Sequence, residues 1–181
     1  MKAIILAAGK GTRLRPLTYF INKCMIKIDG KPVLQYLVEH LNKFGITEIM
    51  VNLHYRPMEI IKHFGSRLIY SYEPRLLGEE GTLKAVSPWF NDYTVVMNGD
   101  TLTNINILSM FDISGGESLR CTENGVYTGT RIIRPYYQQT RDYSYQNPDT
   151  KWLDIGTWPN LMKARKFVKD VYKNTYPLPK M

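Results

Sequence analysis

Residues 3–13, AIILAAGKGTR, run six apolar residues without a break into two glycines and an arginine. A continuous apolar run bounded by glycine predicts a strand covered on both faces, as in a parallel sheet. Three further runs repeat the signal: EIMVNL at 48–53, LIYSY at 68–72 and YTVVMN at 93–98. Helical patterns separate them. Pro32 opens the first, which runs to about Phe44 with Val33, Leu34, Leu37, Leu41 and Phe44 as its apolar stripe, and Gly45 stops it. PMEIIKHF (57–64) before Gly65 is a second, short helix; the loop EPRLLGEEG (73–81) leads to a third around TLKAV (82–86); NILSMF (106–111) is a fourth. Strands alternating with helices at this spacing predict an α/β fold over the first 110 residues or so: a Rossmann-like, mainly parallel sheet with helices on both faces.

Smaller features complete the organisation. CMIKI (24–28) reads as a short extended piece ended by the turn DGKP. Beyond residue 112 the alternation weakens to a β-rich run, GVYTGTRII (125–133), a polar tyrosine-rich segment (134–151) and an amphipathic helix (159–172). No repeat or composition shift marks a second domain, so residues 1–172 are expected to form one domain, with 173–181 a frayed tail.

The chain has 181 residues, 44% of them hydrophobic and 22% charged, with a formal net charge of +8. That composition describes an ordinary globular chain, and the charge suits an anionic partner. The Lys and Arg residues are scattered, which argues against nucleic acid as that partner. Cys24 and Cys121 lie too far apart for a C-x-x-C site, and His40, His54 and His63 lack metal-ligand spacing. The opening apolar run is too short for a signal-peptide core and nothing approaches a membrane span, so the expected location is cytoplasmic.

The glycine loop fits neither of two familiar phosphate-binding patterns. A P-loop needs glycine at position 4, where isoleucine stands, and Ser or Thr after Lys10, where Gly11 stands; a dinucleotide fingerprint needs a third glycine in place of Leu14. What remains is Gly9-Lys10-Gly11-Thr12-Arg13. Glycines there let backbone N–H groups approach oxygen atoms as an anion nest, and Arg13 can grip a phosphate with two parallel bonds. The plainer alternative is a glycine-rich connection with solvated arginines.

The longer pattern decides between them. LAAGKGTRLRPLT (6–18), Lys23, DGKPVLQYLVEHLNKFGITEIMVNLHY (29–55), the E-x-x-L-L-G-x-x-G-T-L stretch from Glu73 to Leu83, VVMNGD (95–100) and WLDIGTWPNLMKA (152–164) occur in this order. Together they resemble the sugar-1-phosphate nucleotidyltransferases, closest in style to the mannose- or heptose-1-phosphate guanylyltransferases and the N-acetylmuramate-1-phosphate uridylyltransferases. The resemblance implies transfer of NMP from GTP, UTP or CTP to a phosphorylated acceptor, a sugar 1-phosphate, with release of pyrophosphate. It also implies roles. Leu6, Ala7, Ala8 and Gly9 would hold the base and ribose, with Gly78 and Gly81 approaching the base. Gly11, Thr12 and Arg13 would wrap the departing phosphates, and Lys23 would reach the α phosphate. Asn98, Gly99, Glu123 and Asn124 would face the acceptor, and Asp100 and Asp154 would share Mg2+.

These residue types suit such a reaction. The attacking phosphate oxygen is already ionised, so catalysis reduces to neutralising charge and aligning an in-line displacement. Lys, Arg, backbone N–H groups and a hard cation on carboxylates do that; Arg13, Lys23 and Asp100 are the catalytic candidates. Asp100 follows a buried strand, where α/β sheets bind ligands. Nothing local pairs it with Asp154, 54 positions on; only the resemblance does.

The sequence also departs from the family pattern. Asn22 replaces the usual proline before the lysine. The stretch between N-G-D and W-x-D-x-G is short and lacks a Glu-Lys pair, so the acceptor-binding part is expected to be abbreviated. In ENGVY (123–127) the asparagine stands one place late, leaving Glu123 or Asn124 as the contact. Two alternatives therefore stand beside the sugar-phosphate enzyme: a cytidylyltransferase with a smaller acceptor, and a non-catalytic nucleotide-binding module. A homo-oligomer is compatible with either.

Overall fold

The structure is a computed structural model that describes residues 1–114, 117–135 and 143–172. The chain opens with β1 (Lys2–Leu6), then the hairpin strands β2 (Lys27–Ile28) and β3 (Lys31–Pro32), helix α1 (Val33–Lys43), β4 (Ile49–Leu53), α2 (Pro57–Phe64) and β5 (Ile69–Tyr72). It continues through α3 (Gly78–Ala85), β6 (Thr94–Asn98), β7 (Thr101–Thr103), α4 (Ile107–Ser114), β8 (Leu119–Glu123), β9 (Val126–Ile133), β10 (Tyr143–Tyr145), β11 (Trp152–Asp154) and α5 (Trp158–Val171).

Seven strands form the main sheet in the order β10-β8-β9-β6-β1-β4-β5. The four apolar runs of the sequence are β1, β4, β5 and β6, and they are parallel, with Ala3 opposite Ile49 and Val95 and Met50 opposite Ile69. β9 then runs antiparallel to both β6 and β8. Chain order reverses about β1, with β4 and β5 added on one side and β6 on the other; such a reversal opens a crevice at the strands' carboxyl ends.

Alternation along β1 assigns the two faces. Ala3 and Ile5 point into a core built with Leu34, Leu37 and Leu41 of α1, Ile60 and Phe64 of α2 and Met110 of α4. Ile4 points the other way, into a cluster with Met50, Val96, Ile133, Phe90 and Leu83 of α3. Helices on both faces explain why the central strands β1, β4 and β6 are largely apolar, whereas the edge strand β5 is not buried. A third cluster joins Ala164 and Val168 of α5 to Leu14, Ile28, Tyr36, Leu102 and Ile155, anchoring α5 beside the glycine loop.

Three local expectations need correction. α3 starts at Gly78, so the GEEG of the expected loop is the helix's own first turn, and its two glutamates sit where a helix N-terminus favours negative charge. Lys23–Met25 is a 3-10 turn, leaving only Lys27–Ile28 extended. LRCTE, given no element by pattern, is β8, held by pairing with β9 and β10. The tail 173–181 and positions 136–142 of the tyrosine-rich segment lie outside the described residues.

Candidate active site

The carboxyl ends of β1, β4 and β6 and the start of α3 enclose a cavity of about 270 Å3. Leu6, Ala8 and Gly9 of the glycine loop line it, with Gly78 and Asn98 and, at one end, Asp100. Ala7 does not line it: its side chain is buried, and its N–H donates to Asn52 Oδ1 at 2.6 Å. Gly81 does not line the cavity either; an added Cβ there would meet Leu77 Cβ at 2.9 Å.

Gly11 adopts φ +62°, a conformation that favours glycine, with Thr18 and Lys23 too close for a Cβ. The turn at Thr12–Leu14 follows, and Thr18 Oγ1 donates to Gly11 O at 2.8 Å. Asn22 does work that proline cannot. Its Oδ1 accepts from Cys24 N at 2.9 Å, its Nδ2 donates to Tyr55 O at 2.7 Å, and its N–H donates to Glu59 Oε2. That fixes the turn presenting Lys23.

Lys23 Nζ donates to Asp100 Oδ2 in a short ion pair. Burial works against the charge on Lys23, but Asp100, with Asp154 adding to it, outweighs that and holds the ammonium above its ordinary range. Gly99 lets Asp100 reach this point. Its N–H donates to Leu6 O at 2.9 Å, and a Cβ there would lie 2.8 Å from both Leu6 O and Cys24 Sγ. Buried beneath, Cys24 has its thiol pushed up to about 12, first by burial and then by Asp100, so it stays protonated and unreactive.

Asp154 arrives from far along the chain by strand pairing. β11 lies antiparallel to β7 with Asp154 opposite Thr101, and Ile155 N–H donates to Asp100 O at 2.9 Å. Arg13 Nη2 stands 3.8 Å from Asp154 Oδ2. Burial, then the neighbouring Asp100 carboxylate, holds the Asp154 carboxyl above its usual range. Two carboxylates pressed together with only oxygen donors fit a hard divalent cation. No group of three or more His, Cys, Asp or Glu is placed to hold a metal among the described residues, so phosphate oxygens and water would complete the coordination.

Glu123 and Asn124 stand apart from the cavity, at the tip of the β8–β9 hairpin. Trp152 Nε1 donates to Glu123 Oε2, and Asn124 takes φ +50° in the turn.

Sequence reasoning missed a buried polar network behind the cavity. Asn52 Nδ2 donates to Glu73 Oε1 at 2.8 Å, and Thr82 Oγ1 donates to the same oxygen. Through Asn52 Oδ1 the network reaches Ala7, so it ties the glycine loop to β4, the end of β5 and α3. Asn52 inside an apolar strand carried no periodic signal; a polar residue amid EIMVNL was the only hint.

A mainly parallel sheet with a glycine loop after its first strand, and two cations beside two carboxylates at that loop, defines an α/β protein with a charged crevice at the strands' carboxyl ends. Residues 2–113 match the nucleotidyl transferase family, and the chain belongs to that family. It is 41% identical over 125 residues to a UTP–glucose-1-phosphate uridylyltransferase of Synechocystis, covering 59% of this chain and 32% of the relative. It is 37% identical over 118 residues to a D-glycero-alpha-D-manno-heptose 1-phosphate guanylyltransferase of Aneurinibacillus thermoaerophilus, covering 62% and 51%. The chain thus spans about a third and a half of these relatives' lengths. The crystal structure of HddC from Yersinia pseudotuberculosis shares the fold, with a TM-score of 0.77 at 21% identity over 92% of this chain and 98% of that one.

Proposed function

We propose that the protein transfers NMP from a nucleoside triphosphate to a sugar 1-phosphate, forming an NDP-sugar and pyrophosphate. Residues 1–172 act in this reading as one unit, the nucleotide half at about 1–112 and the abbreviated acceptor half after it. The observation that carries it is the meeting of Arg13, Lys23, Asp100 and Asp154 at one end of a cavity that begins at Leu6 and Gly9. Binding a nucleotide alone does not require all four.

The reaction joins two polyanions. An ionised oxygen of the acceptor phosphate attacks the α phosphorus, the bond to the bridging oxygen breaks, and pyrophosphate leaves with its electron pair. No general base is needed, which agrees with a site that has no histidine. Gly11, Thr12 and Arg13 hold the departing phosphates; Lys23, exchanging Asp100 for the α phosphate, offsets charge developing there. Asp100 and Asp154 would hold Mg2+, which would supply further charge neutralisation. Asn98 and Gly99, with Glu123 or Asn124 from the hairpin, face the acceptor.

The test is pyrophosphate release from GTP, UTP, CTP and ATP with a panel of sugar 1-phosphates and Mg2+. At least one pair should turn over, and Asp100→Asn should cut that rate more than tenfold with the fold kept by circular dichroism. Turnover without divalent metal, or an Asn variant of near wild-type rate, would overturn the assignment.

A further inference from the structure

The turn that carries Lys23 is gripped from outside the cavity, and we infer that Glu59 is the positioning residue that sets it. The catalytic consequence rests on the role proposed above for Lys23; the grip itself does not.

Asn22 is fully buried, with φ −63° and ψ 136°. That φ is the one a proline ring imposes, so the backbone path alone does not call for asparagine. What asparagine adds is hydrogen bonds. Its side chain caps Cys24 N–H and reaches Tyr55 O, its carbonyl accepts from Met25 N–H, and its own N–H donates to Glu59 Oε2 at 2.7 Å. Proline could not make that last bond.

Glu59 stands in the first turn of α2 and lines no part of the cavity. Its other oxygen, Oε1, accepts from Arg56 Nε, and Arg56 Nη1 donates to Tyr19 O at 3.0 Å. Arg56 takes φ +49°, a left-handed conformation that a residue with a side chain keeps only where its surroundings hold it. Tyr55 adds a bond from its hydroxyl to Thr18 O at 2.7 Å, and Thr18 in turn holds Gly11 O. Four hydrogen bonds thus join residues 18–22 to residues 55–59. Only the one to Glu59 has a charged acceptor, which makes it the stronger kind, and it falls on the residue just before Lys23. Without that carboxylate a buried N–H has no acceptor, and the turn must shift to reach water. The shift draws Lys23 away from Asp100 Oδ2.

Acylation of the full chain in chelator, with each lysine followed by mass spectrometry, reads where Lys23 lies. Its side chain is 16% exposed and paired with Asp100, so the wild type should label there slowly. E59A should label Lys23 at least about threefold faster, with other lysines and the melting temperature little changed, as for a local opening. E59S takes its place if alanine unfolds the chain. E59Q keeps an uncharged acceptor for the N–H and should restore labelling nearly to the wild-type rate. N22P removes the N–H and fixes the same φ by its ring, so adding E59A to N22P should change nothing. In pyrophosphate release, E59A should lower kcat by about tenfold or more and leave the nucleotide KM nearly unchanged, as for a group misplaced only for the transition state. Unchanged Lys23 labelling in the folded variant, or an E59A effect that persists in N22P, would overturn the inference. So would a rise shared by every lysine, which marks a loosened fold. A wild type that releases no pyrophosphate would overturn the proposed function, while labelling still decides whether Glu59 sets Lys23.

Discussion

His40 shows how one residue's surroundings become a property of the fold. It sits on α1, buried, and donates its Nε2–H to Ile105 O at 2.9 Å, with Phe44 edge-on to its ring. Burial, aided by Lys43, lowers its pKa from the ordinary 6.5 to about 4 against the opposing pull of Ile105 O. The unfolded chain therefore takes up a proton near pH 6.5 while the folded one refuses it until about pH 4. His40 stability is complete above pH 6.5 and drains away as pH falls towards 4, by at most ~3 kcal/mol. The measurement is urea denaturation of wild type and His40→Gln from pH 7.5 to 4.5; carboxylates elsewhere titrate alike in both and cancel. The wild type should lose stability relative to the variant across that window. Parallel curves would show that His40 is not held neutral.

Elements, more than single residues, assemble the site, and Gly156 tests how. It follows β11, and an added Cβ would fall 2.7 Å from Asp154 Oδ1, 2.8 Å from Arg13 Nη2 and 3.3 Å from Asp100 Oδ2. Each of those atoms is the free end of a side chain, so the backbone can accept alanine while the charged groups are pushed apart. Gly156→Ala should unfold within a few degrees of wild type yet lose more than tenfold in pyrophosphate release. A full rate would mean that the cluster is not the reacting centre. The same geometry explains what the sequence revealed and what it hid. β1, β4 and β6 were legible because burial on both faces writes a local apolar run; β5, the exposed edge strand, was legible only by its β-branched and aromatic residues. β7 and β11 were not, since three-residue strands such as TLT and WLD depend on a partner about fifty positions away. Asp100 and Asp154 were joined on resemblance alone; the physical link is the register that sets Asp154 opposite Thr101. Glycine in W-x-D-x-G carried no visible reason until the three charged ends around it were in view. The Asn52–Glu73–Thr82 network spans thirty positions, a spacing with no period to detect.

At the scale of the whole molecule, the two halves of the proposed site are unequally built. The nucleotide side has a formed cavity, a glycine loop braced through Asn52 and both cations already beside the carboxylates. On the acceptor side, Glu123 and Asn124 stand at a hairpin tip outside that cavity, with Glu123 taken by Trp152. Ligands stabilise a fold in proportion to how well the folded state already holds them. A nucleotide with Mg2+ at a hundred times its dissociation constant should add about 2.7 kcal/mol, which for a chain of this size is a rise of roughly 5–10 °C. Sugar 1-phosphates alone should move the midpoint by no more than about 1–2 °C on the same reasoning, because few formed contacts await them. With nucleotide and Mg2+ present, the sugar phosphate should add a further shift, since the bound phosphates and cation then supply part of its site. Ionic strength must be held constant, because a net charge of +8 lets any polyanion stabilise the protein weakly at low salt. Inorganic sulfate at matched charge measures that background. A large, nucleotide-independent shift with one sugar phosphate would overturn the inequality and place a complete acceptor site on this chain.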